Sequence, residues 1–289
     1  MKPPTLVTLR VWGDFACFTR PEMKVERVSY PVMTPSAARG ILEAIFWEPQ
    51  MFYLIDSIRV IKRGRWISIR RNEVTKVISL DSAKTWMREP EKTSVIHAGG
   101  GAADGTQRNM LALQDVEYLI TAEVRLTPLA QPPRDNLAKY LREIEGRARS
   151  GKCFHRPGLG MREFAADFDW EPDPEAALTR RHLELGPTAT INEPLGLMLY
   201  DLFDHRDRAA GFRWLTPEEE SRQGAEFEQS LVGYPKGEQT KRKKEYAANK
   251  LRSTSAPIKP RPLFFQASLQ NSRLDCHPDR VLPKVEGEI

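Results

Sequence analysis

The chain has 289 residues, of which 40% are hydrophobic and 29% charged, and a formal net charge of +5 at pH 7. No apolar run approaches the roughly 18 residues needed to cross a bilayer, and the first residues lack the apolar core of a signal peptide, so we expect a cytoplasmic protein without membrane contact. Three widely spaced cysteines, Cys17, Cys153 and Cys276, predict neither a disulfide framework nor a zinc site, and we expect no metal or other cofactor.

The first elements in chain order are a strand and a helix. Residues 5–12 alternate in polarity and predict a strand, which Gly13 and Asp14 are expected to end. Residues 34–47 begin with a threonine suited to an N-cap and a proline at the first helical position, and apolar residues recur at helical spacing. This pattern predicts a helix that Pro49 ends.

Two further strands flank a long excursion. Residues 51–62 are rich in β-branched and aromatic side chains and predict a strand, and residues 116–127 alternate cleanly and predict another. Between them, residues 63–115 contain a basic strand candidate at 63–74 and a glycine-rich stretch at 97–109 that is expected to be flexible.

A second helix and a fourth strand complete the pattern. Residues 131–151 combine a proline-rich turn, an Asp or Asn cap and a basic helical sequence, and residues 159–168 predict a strand. The order β, α, β, β, α, β is that of a ferredoxin-like, or RRM-like, domain. We therefore predict an α+β fold in which residues 1–172 form this domain and the segment at about 63–115 is inserted into it.

The remaining residues, 173–289, predict a small β-rich domain. Residues 195–204 and 261–277 read as strands, and the polar segment between them, about 204–260, is interpreted as a basic insert. Within it, residues 241–252 form the densest positive run of the chain. Such a run is either a solvated or disordered charge run or an electrostatic arm for nucleic acid.

Arginines crowd around Trp66 in the excursion. A ferredoxin-like sheet with basic extensions is a common platform for single-stranded RNA, because aromatic rings stack on bases while Arg and Lys contact phosphates. The alternative is a two-stranded hairpin with one charged face, and the standard RRM aromatic motif is not visible. The arginines of this excursion are Arg63, Arg65, Arg70, Arg71 and Arg108.

The second predicted helix carries residues suited to RNA chemistry. Metal-free cleavage requires the 2′-hydroxyl to attack the adjacent phosphate while protons move and negative charge is stabilised. Lys139 can supply charge, Tyr140 can shuttle a proton, and His155 in the loop "CFHRPGLG" is a further acid or base candidate. The alternatives are a surface lysine beside a packing tyrosine and a hydrogen-bonded structural histidine. The usual nucleotide-loop and zinc-protease motifs are absent.

Several segments go beyond generic patterns. In order they are "LRVWGDFACFTRPEMKVERVSYPVMTPSAARGILEAIFW", "RRNEV", "TQRN", "NLAKYL", "GKCFHRPGLGMREF", "LGLMLYDL" and "PLFFQA". Together they resemble the Cas5 family of type I-C CRISPR-associated proteins, in its Cas5d group, over nearly all of residues 5–202 and again from about 261. The resemblance implies a ferredoxin-like N-terminal domain with a long β-hairpin thumb, and a smaller antiparallel β-sheet domain at the C-terminus.

The resemblance also implies a function. It predicts a subunit of a Cascade surveillance complex that cuts precursor CRISPR RNA at the base of the repeat hairpin by metal-independent 2′-hydroxyl attack. The subunit then holds the 5′ handle of the crRNA, contacts Cas7 backbone subunits and the large Cas8 subunit, and meets target DNA through the complex. The main alternative is a structural subunit that only caps and holds the 5′ handle. A sequence-specific RRM unrelated to CRISPR is a third reading.

Catalytic residues are carried over by position. Family members use a tyrosine before the tryptophan that ends the first helix and a Lys-His pair on the second helix; the matching residues here are Phe46, Lys139 and Tyr140. Phe46 lacks the hydroxyl, and Tyr140 replaces an imidazole with a phenol whose ordinary pKa is about 10. Lys139 and Tyr140 are therefore expected to carry the chemistry. The expected RNA-contacting residues are Arg65, Arg70, Arg71, Arg108, Arg142, Trp47 and His155.

Overall fold

A computed structural model describes residues 5–97, 99, 101–185, 190–209, 217–250 and 261–283 of the protein. The strands are β1 (Leu6–Ala16), β2 (Arg27–Val28), β3 (Met51–Lys62), β4 (Arg65–Val74), β5 (Gly105–Leu126), β6 (Asp167–Trp170), β7 (Glu193–Asp201), β8 (Leu263–Gln270) and β9 (Arg273–Asp275). The helices are α1 (Pro35–Ile45), α2 (Leu80–Arg88), α3 (Leu137–Arg149), α4 (Pro174–Leu185), α5 (His205–Ala209), α6 (Pro217–Ser230), α7 (Lys236–Lys250) and α8 (Pro278–Val281). None of these helices is long and apolar enough to cross a bilayer.

A single large and mainly antiparallel sheet organises this mixed α/β fold. Its strands lie in the order β6-β1-β5-β3-β9-β8-β7, while β2 and β4 pair with β5 beside this path. In the N-terminal half, β1, α1, β3, β5, α3 and β6 follow one another, and the four strands are antiparallel neighbours in the order β6-β1-β5-β3. The predicted succession of strands and helices is therefore present in the chain.

Helix α1 confirms its sequence signals at its start and along its apolar stripe, but it ends at Ile45, so Phe46 and Trp47 follow the helix and Pro49 is not what ends it. The Thr34 side chain accepts a hydrogen bond of 3.2 Å from the Ala37 amide, and Pro35 occupies the first turn. The apolar stripe faces the core, as predicted, because Ala38, Ile41, Leu42 and Ile45 are all buried. This packing fixes where the end of α1, and hence the residues after it, lie relative to the sheet.

Strand β1 is longer than predicted. Gly13 and Asp14 lie within it and do not end it. A side chain at position 13 would come within 2.6 Å of Leu159 Cδ1 and 2.8 Å of the Ala165 carbonyl oxygen. Glycine is required there by close packing, so its presence does not indicate a strand end.

The excursion forms a two-stranded arm. Strand β4 pairs with residues 105–114 of β5, and the rest of β5 belongs to the central sheet. We call β4 together with residues 105–114 the arm. The segment that joins its strands carries α2, which has no buried residue. The predicted basic strand is confirmed; of the predicted flexible stretch at 97–109, residues 98 and 100 lie outside the described residues.

The predicted strand at 159–168 is wrong for most of its length. Residues 158–164 turn sharply, and regular pairing begins only at β6. Gly160 has φ +85°, and a Cβ there would lie 2.2 Å from the Cys17 carbonyl oxygen. Only glycine fits this left-handed and crowded position, so the glycines of "GLG" dictate a turn.

The C-terminal strands continue the same sheet. Strand β9 pairs with β3, and β8 pairs with both β9 and β7. The predicted strand 195–204 is present as β7, whereas 261–277 is a hairpin whose turn residues Asn271 and Ser272 both have positive φ, as a tight two-residue turn requires. The predicted insert contains α5, α6 and α7, and its residues 210–216 and 251–260 lie outside the described part.

Candidate RNA-processing site

The end of α1 meets the first turn of α3. The rings of Phe46 and Tyr140 lie 6.2 Å apart between centroids, at an angle of 32°. The Lys139 ammonium lies 4.8 Å from the centre of the Tyr140 ring. The structure therefore brings together the three residues that the family resemblance selected as catalytic, although Phe46 lies more than 90 positions before Lys139 and Tyr140 in the chain.

The start of α3 fixes the orientation of this cluster. The Asn136 side chain accepts a hydrogen bond of 3.0 Å from the Lys139 amide and so caps the helix. From this start, Tyr140, Ile144 and Ala148 recur at intervals of four residues and are buried against the core. Lys139, one position before Tyr140, is left at the edge of the interface with its side chain 31% exposed.

Tyr140 is buried and its hydroxyl is already engaged. The ring is 0% exposed, and the hydroxyl donates a hydrogen bond of 3.0 Å to Asp135 Oδ1. Burial raises the pKa of the phenol, and the acceptor Asp135 and the nearby charge of Glu48 raise it further. Tyr140 is therefore a protonated donor near neutral pH, and its ring presents no face to solvent in this conformation.

Asp135 links Tyr140 to Lys139. The carboxylate accepts the phenol on Oδ1, accepts the Gln131 amide on Oδ2 at 3.0 Å, and lies 3.4 Å from the Lys139 ammonium. The Gln131 hydrogen bond is the largest cause of its lowered pKa, and the contacts of Tyr140 and Lys139 also lower it. The ammonium has a second carboxylate neighbour, Glu48, at 3.7 Å. Lys139 is thus held in one place by two negative groups.

Phe46 lies in the interior beside a second cation. Its side chain is 5% exposed, and the Arg147 guanidinium lies 5.2 Å from the ring centre. The Phe46 carbonyl accepts a hydrogen bond of 2.9 Å from the Tyr53 hydroxyl, which anchors the backbone at this point. Phe46 therefore packs Tyr140 and Arg147, and it offers no hydroxyl for proton transfer.

Arg147 was not selected from the sequence. Its Nε is buried and has no hydrogen-bond acceptor among the described residues, and its nearest carboxylate, Glu143, is 3.9 Å away. The residue lies seven positions after Tyr140, which places both on the same face of α3. The seven-residue spacing from Tyr140 to Arg147 can be read from the sequence, and so can the presence of Glu48 and Asp135. Only the fold shows that Glu48 and Asp135 lie next to Lys139.

Trp47 directly follows Phe46 after α1, and the loop that carries His155 contacts the last turn of the same helix. Trp47 is partly buried against the core, and His155 is exposed on the loop after α3. The amides of Phe154 and His155 both donate to the Ala44 carbonyl, at 2.8 and 3.2 Å. The loop is therefore pinned to the last turn of α1.

A groove of about 820 Å³ runs along α1 next to this loop. Ser36 and Gly40 of α1 line one side, and the turn residues Gly158, Gly160 and Arg162 line the other. Arg162 is exposed and has no carboxylate partner among the described residues. The groove therefore offers a backbone-rich surface with a positive charge, which suits a phosphate chain.

The predicted arginines of the arm divide into paired and unpaired groups. Arg71 lies 2.8 Å from Glu163, and Arg108, its cross-strand neighbour, lies 3.6 Å from Glu26. Arg65 and Arg70 are exposed, and neither has a carboxylate partner among the residues that the structure describes. No described contact joins these arginines to the Lys139 cluster.

Arg142 lies on the exposed face of α3 and has no partner in the described part of the chain. Within that part, no group of three or more His, Cys, Asp or Glu side chains is arranged to hold a metal ion. Lys139 and Arg147 are observed against the rings of Tyr140 and Phe46, and Arg142 lies two positions after Tyr140 on the same helix.

A family model and two relatives of known name all match this chain and belong to one family. A family model described as "CRISPR-associated protein (Cas_Cas5)" matches residues 6–233. The chain is 41% identical over 212 residues to the protein named "CRISPR pre-crRNA endoribonuclease Cas5d" of Mannheimia succiniciproducens, which covers 72% of this chain and 89% of the relative. A protein of the same name from Thermus thermophilus is 43% identical over 194 residues, or 67% of this chain and 72% of that relative.

A solved structure resembles the fold along almost the whole chain. It is titled "Crystal Structure of CRISPR-associated Protein", has a TM-score of 0.50 and 17% sequence identity, and covers 99% of this chain and 94% of the other. At this level of identity the likeness concerns the fold alone.

Proposed function

Because the chain belongs to the Cas5d family of CRISPR-associated proteins, we propose that it is a pre-crRNA endoribonuclease. It binds the repeat-derived RNA, cuts the precursor at the base of the repeat hairpin and keeps hold of the 5′ handle. The observation that carries this proposal is the position of Lys139, an accessible cation held beside Tyr140 and Phe46 at the place where family members have their catalytic residues.

The proposed reaction needs no metal. The 2′-hydroxyl of the nucleotide before the cut attacks the adjacent phosphorus, the bond to the 5′-oxygen breaks, and the products are a 2′,3′-cyclic phosphate and a 5′-hydroxyl. The proton lost by the 2′-hydroxyl leaves to a base, and one is supplied to the departing 5′-oxygen. Negative charge builds on the phosphate oxygens in the transition state between these two proton transfers. A fixed cation stabilises this charge and so lowers the activation barrier.

Lys139 is the residue best placed to stabilise that charge. It is the only one of Phe46, Lys139 and Tyr140 that reaches solvent, and its carboxylate neighbours Asp135 and Glu48 hold its ammonium in position. Tyr140 acts through Lys139 and Asp135 as a positioning residue. Alignment of the reacting groups supports some cleavage even without a side-chain hydroxyl at position 46.

The arm and the groove along α1 supply the remaining RNA contacts in this proposal. Arg65 and Arg70 are exposed cations without described partners, so they are free to meet phosphates. Arg71 and Arg108 contribute after exchanging their carboxylate partners for phosphates. Arg142, Trp47 and His155 complete the surface around Lys139.

The finer points of the architecture and the partners belong to the same proposal. The strand order β6-β1-β5-β3 with α1 and α3 supports a ferredoxin-like core at about residues 1–172 with the arm as its thumb. Residues 173–289 form the smaller part. In a type I-C Cascade complex, the protein contacts Cas7 and Cas8 subunits and meets target DNA through the complex.

A second candidate is a structural subunit that binds the 5′ handle without cutting. The missing hydroxyl at Phe46 and the buried Tyr140 ring favour it. The two are separated by incubating the purified protein with its own repeat RNA in EDTA. A discrete cut at the hairpin base supports the enzyme; a gel shift with intact RNA leaves the structural subunit.

A further inference from the structure

A second cavity, of about 650 Å³, opens near the end of α1, and of its lining residues only His155 also lines the groove. Its aromatic side consists of Trp47, Phe154, His155 and Phe203. Its volume lies within the range of small-ligand pockets, which are lined mainly by apolar groups with a few fixed polar ones. The cavity therefore has the dimensions and lining of a binding site for one compact group.

Phe154 is the most unusual member of this lining. Its side chain is 85% exposed, and its ring meets that of His155 edge-on, 5.9 Å apart and at 78°. The backbone of the loop that carries both rings is anchored, because the two amides donate to the Ala44 carbonyl. That carbonyl belongs to the last turn of α1, where carbonyl groups lack helical partners. The anchored backbone thus fixes the point from which the exposed Phe154 ring projects.

The rest of the cavity lining carries charged side chains, and its arginines pair with carboxylates. Both oxygens of Glu43 accept guanidinium hydrogen bonds, one from Arg39 and one from Arg208. Arg39 also donates to both oxygens of Asp201, at 2.6 and 2.9 Å. Among the residues that the structure describes here, two cations and two anions are therefore matched, which leaves none of these arginines unpaired to hold a phosphate. A flat, uncharged ring with polar edges suits this lining better.

The cavity and the Lys139 cluster share one helix end. Trp47 lines the cavity, and its neighbour Phe46 packs on Tyr140. In the proposed complex, a single-stranded RNA with a phosphate at Lys139 continues along this helix end towards the aromatic rings. Bases stack on such rings whatever their sequence, because every base has a π-face.

We propose that this cavity receives one unpaired base of the RNA, stacked on Phe154 and Trp47. The inference rests on the proposed function and adds a specific contact to it, in which the base is held apart from the phosphate contacts of the arm. Phe154 fixes which nucleotide lies at the Lys139 cluster by seating one of its neighbours.

The experiment is an abasic scan of the RNA. Repeat RNA carrying a 2′-deoxy nucleotide at the cut site, so that it binds without being cleaved, is prepared with a single abasic ribose at each unpaired position in turn. Affinity for the full-length protein is measured by gel shift. One position is expected to lose about tenfold in affinity, the usual size of one base–aromatic stack.

Variants identify the protein side of that loss. Phe154→Ala is expected to lose about tenfold on intact RNA and nothing further on the RNA abasic at the sensitive position, while Phe154→Trp retains binding and the scan pattern. Leu183→Ala is the matched control, since Leu183 is 83% exposed and lies on α4, outside the cavity lining. Because Phe154 is itself 85% exposed, its replacement leaves the fold intact, which circular dichroism checks.

Each other outcome overturns the proposal. A flat scan with intact binding, or additive losses for Phe154→Ala and the abasic site, means that the cavity holds no base and is left to a protein partner. If the protein gives either of these two results but still cuts repeat RNA, only the cavity assignment fails. If the protein neither binds nor cuts repeat RNA, the proposed function fails and the cavity assignment with it.

Discussion

The Tyr140 hydroxyl donates a hydrogen bond of 3.0 Å to the Asp135 carboxylate. This contact determines which of the two residues, Tyr140 or Lys139, can act on RNA in the proposed reaction. A phenol that is buried, protonated and already donating to a carboxylate cannot take a proton from RNA, whereas the partly exposed ammonium of Lys139, held by the same carboxylate, can face a phosphate. In the proposed reaction, Tyr140 therefore positions Lys139, and Lys139 stabilises charge.

Lys139→Ala is expected to lower the cleavage rate at saturating protein by about 100-fold or more, because one fixed group that stabilises transition-state charge is worth that much. RNA affinity should fall by less than tenfold. The rate is measured with labelled repeat RNA under single-turnover conditions. Lys236→Ala, which removes an exposed charge at the start of α7 outside the basic run 241–252, is the control. An unchanged rate for Lys139→Ala would show that the cut occurs elsewhere.

Tyr140→Phe is expected to lower the rate by less than tenfold, and by the same factor at every pH from 6 to 9. The folded-state pKa of Tyr140 is raised above its ordinary value of about 10, so the phenol stays protonated across this range and adds no inflection. The measurement is the pH–rate profile of both proteins. A ratio that grows as pH rises would instead mark Tyr140 as the base.

Phe46→Tyr is expected to raise the cleavage rate about tenfold, because it restores the hydroxyl of the family and proton transfer contributes at least this much. The interior can accept the new group, since the nearby Arg147 Nε lacks an acceptor among the described residues. Phe265→Tyr, at another buried phenylalanine, controls for the added oxygen. No gain in rate would mean that proton transfer at position 46 does not limit cleavage.

Arg70→Ala is expected to reduce the slope of log affinity against log salt by about 0.7, the value for one phosphate contact on a single strand. Arg71→Ala should change it less, because Arg71 must first leave Glu163. Binding is measured by titration between low and moderate salt. Equal effects of the two variants would contradict the assignment of Arg70 as the freer cation.

Asp201→Asn is expected to lower the free energy of unfolding by about 3 kcal/mol, since it leaves Arg39 without its bidentate partner in a buried setting. The control is Asp167→Asn, whose ion pair with Arg156 is exposed and should matter by less than about 1 kcal/mol. Denaturant unfolding measures both. Similar values for the two variants would show that the buried pair adds no specific stability.

The helices and strands with strong local sequence signals could be predicted without the structure. The Thr34 cap, Pro35 and the apolar stripe of α1 needed no tertiary information, and neither did the alternation in β5. The turn at 158–164 and the hairpin at Asn271 and Ser272 were misread as parts of strands, because backbone crowding and positive φ values there override the apolar pattern.

The site was predictable only in part. The positions Phe46, Lys139 and Tyr140 come from family resemblance, and the structure brings them together. The sequence could not show that Tyr140 is buried, that Asp135 accepts its proton, or that Arg147 lies against Phe46, because each depends on how α1 and α3 pack. The four-residue spacing from Tyr140 to Ile144 was the local sign that Tyr140 faces the core.

The 22-residue strand β5 belongs both to the arm and to the central sheet, so one continuous strand joins the two. One strand runs from the tip of the arm into the middle of the sheet, and at about 3.3 Å per residue its arm portion projects about 33 Å. Asp115, at the junction, has φ 60°, yet β1 pairs with β5 in the same register on both sides of it. The register of β1 with β5 therefore continues unbroken from the central sheet to the base of the arm. In the proposed function, the distance between the arginines of the arm and Lys139 then sets the length of RNA that can contact both.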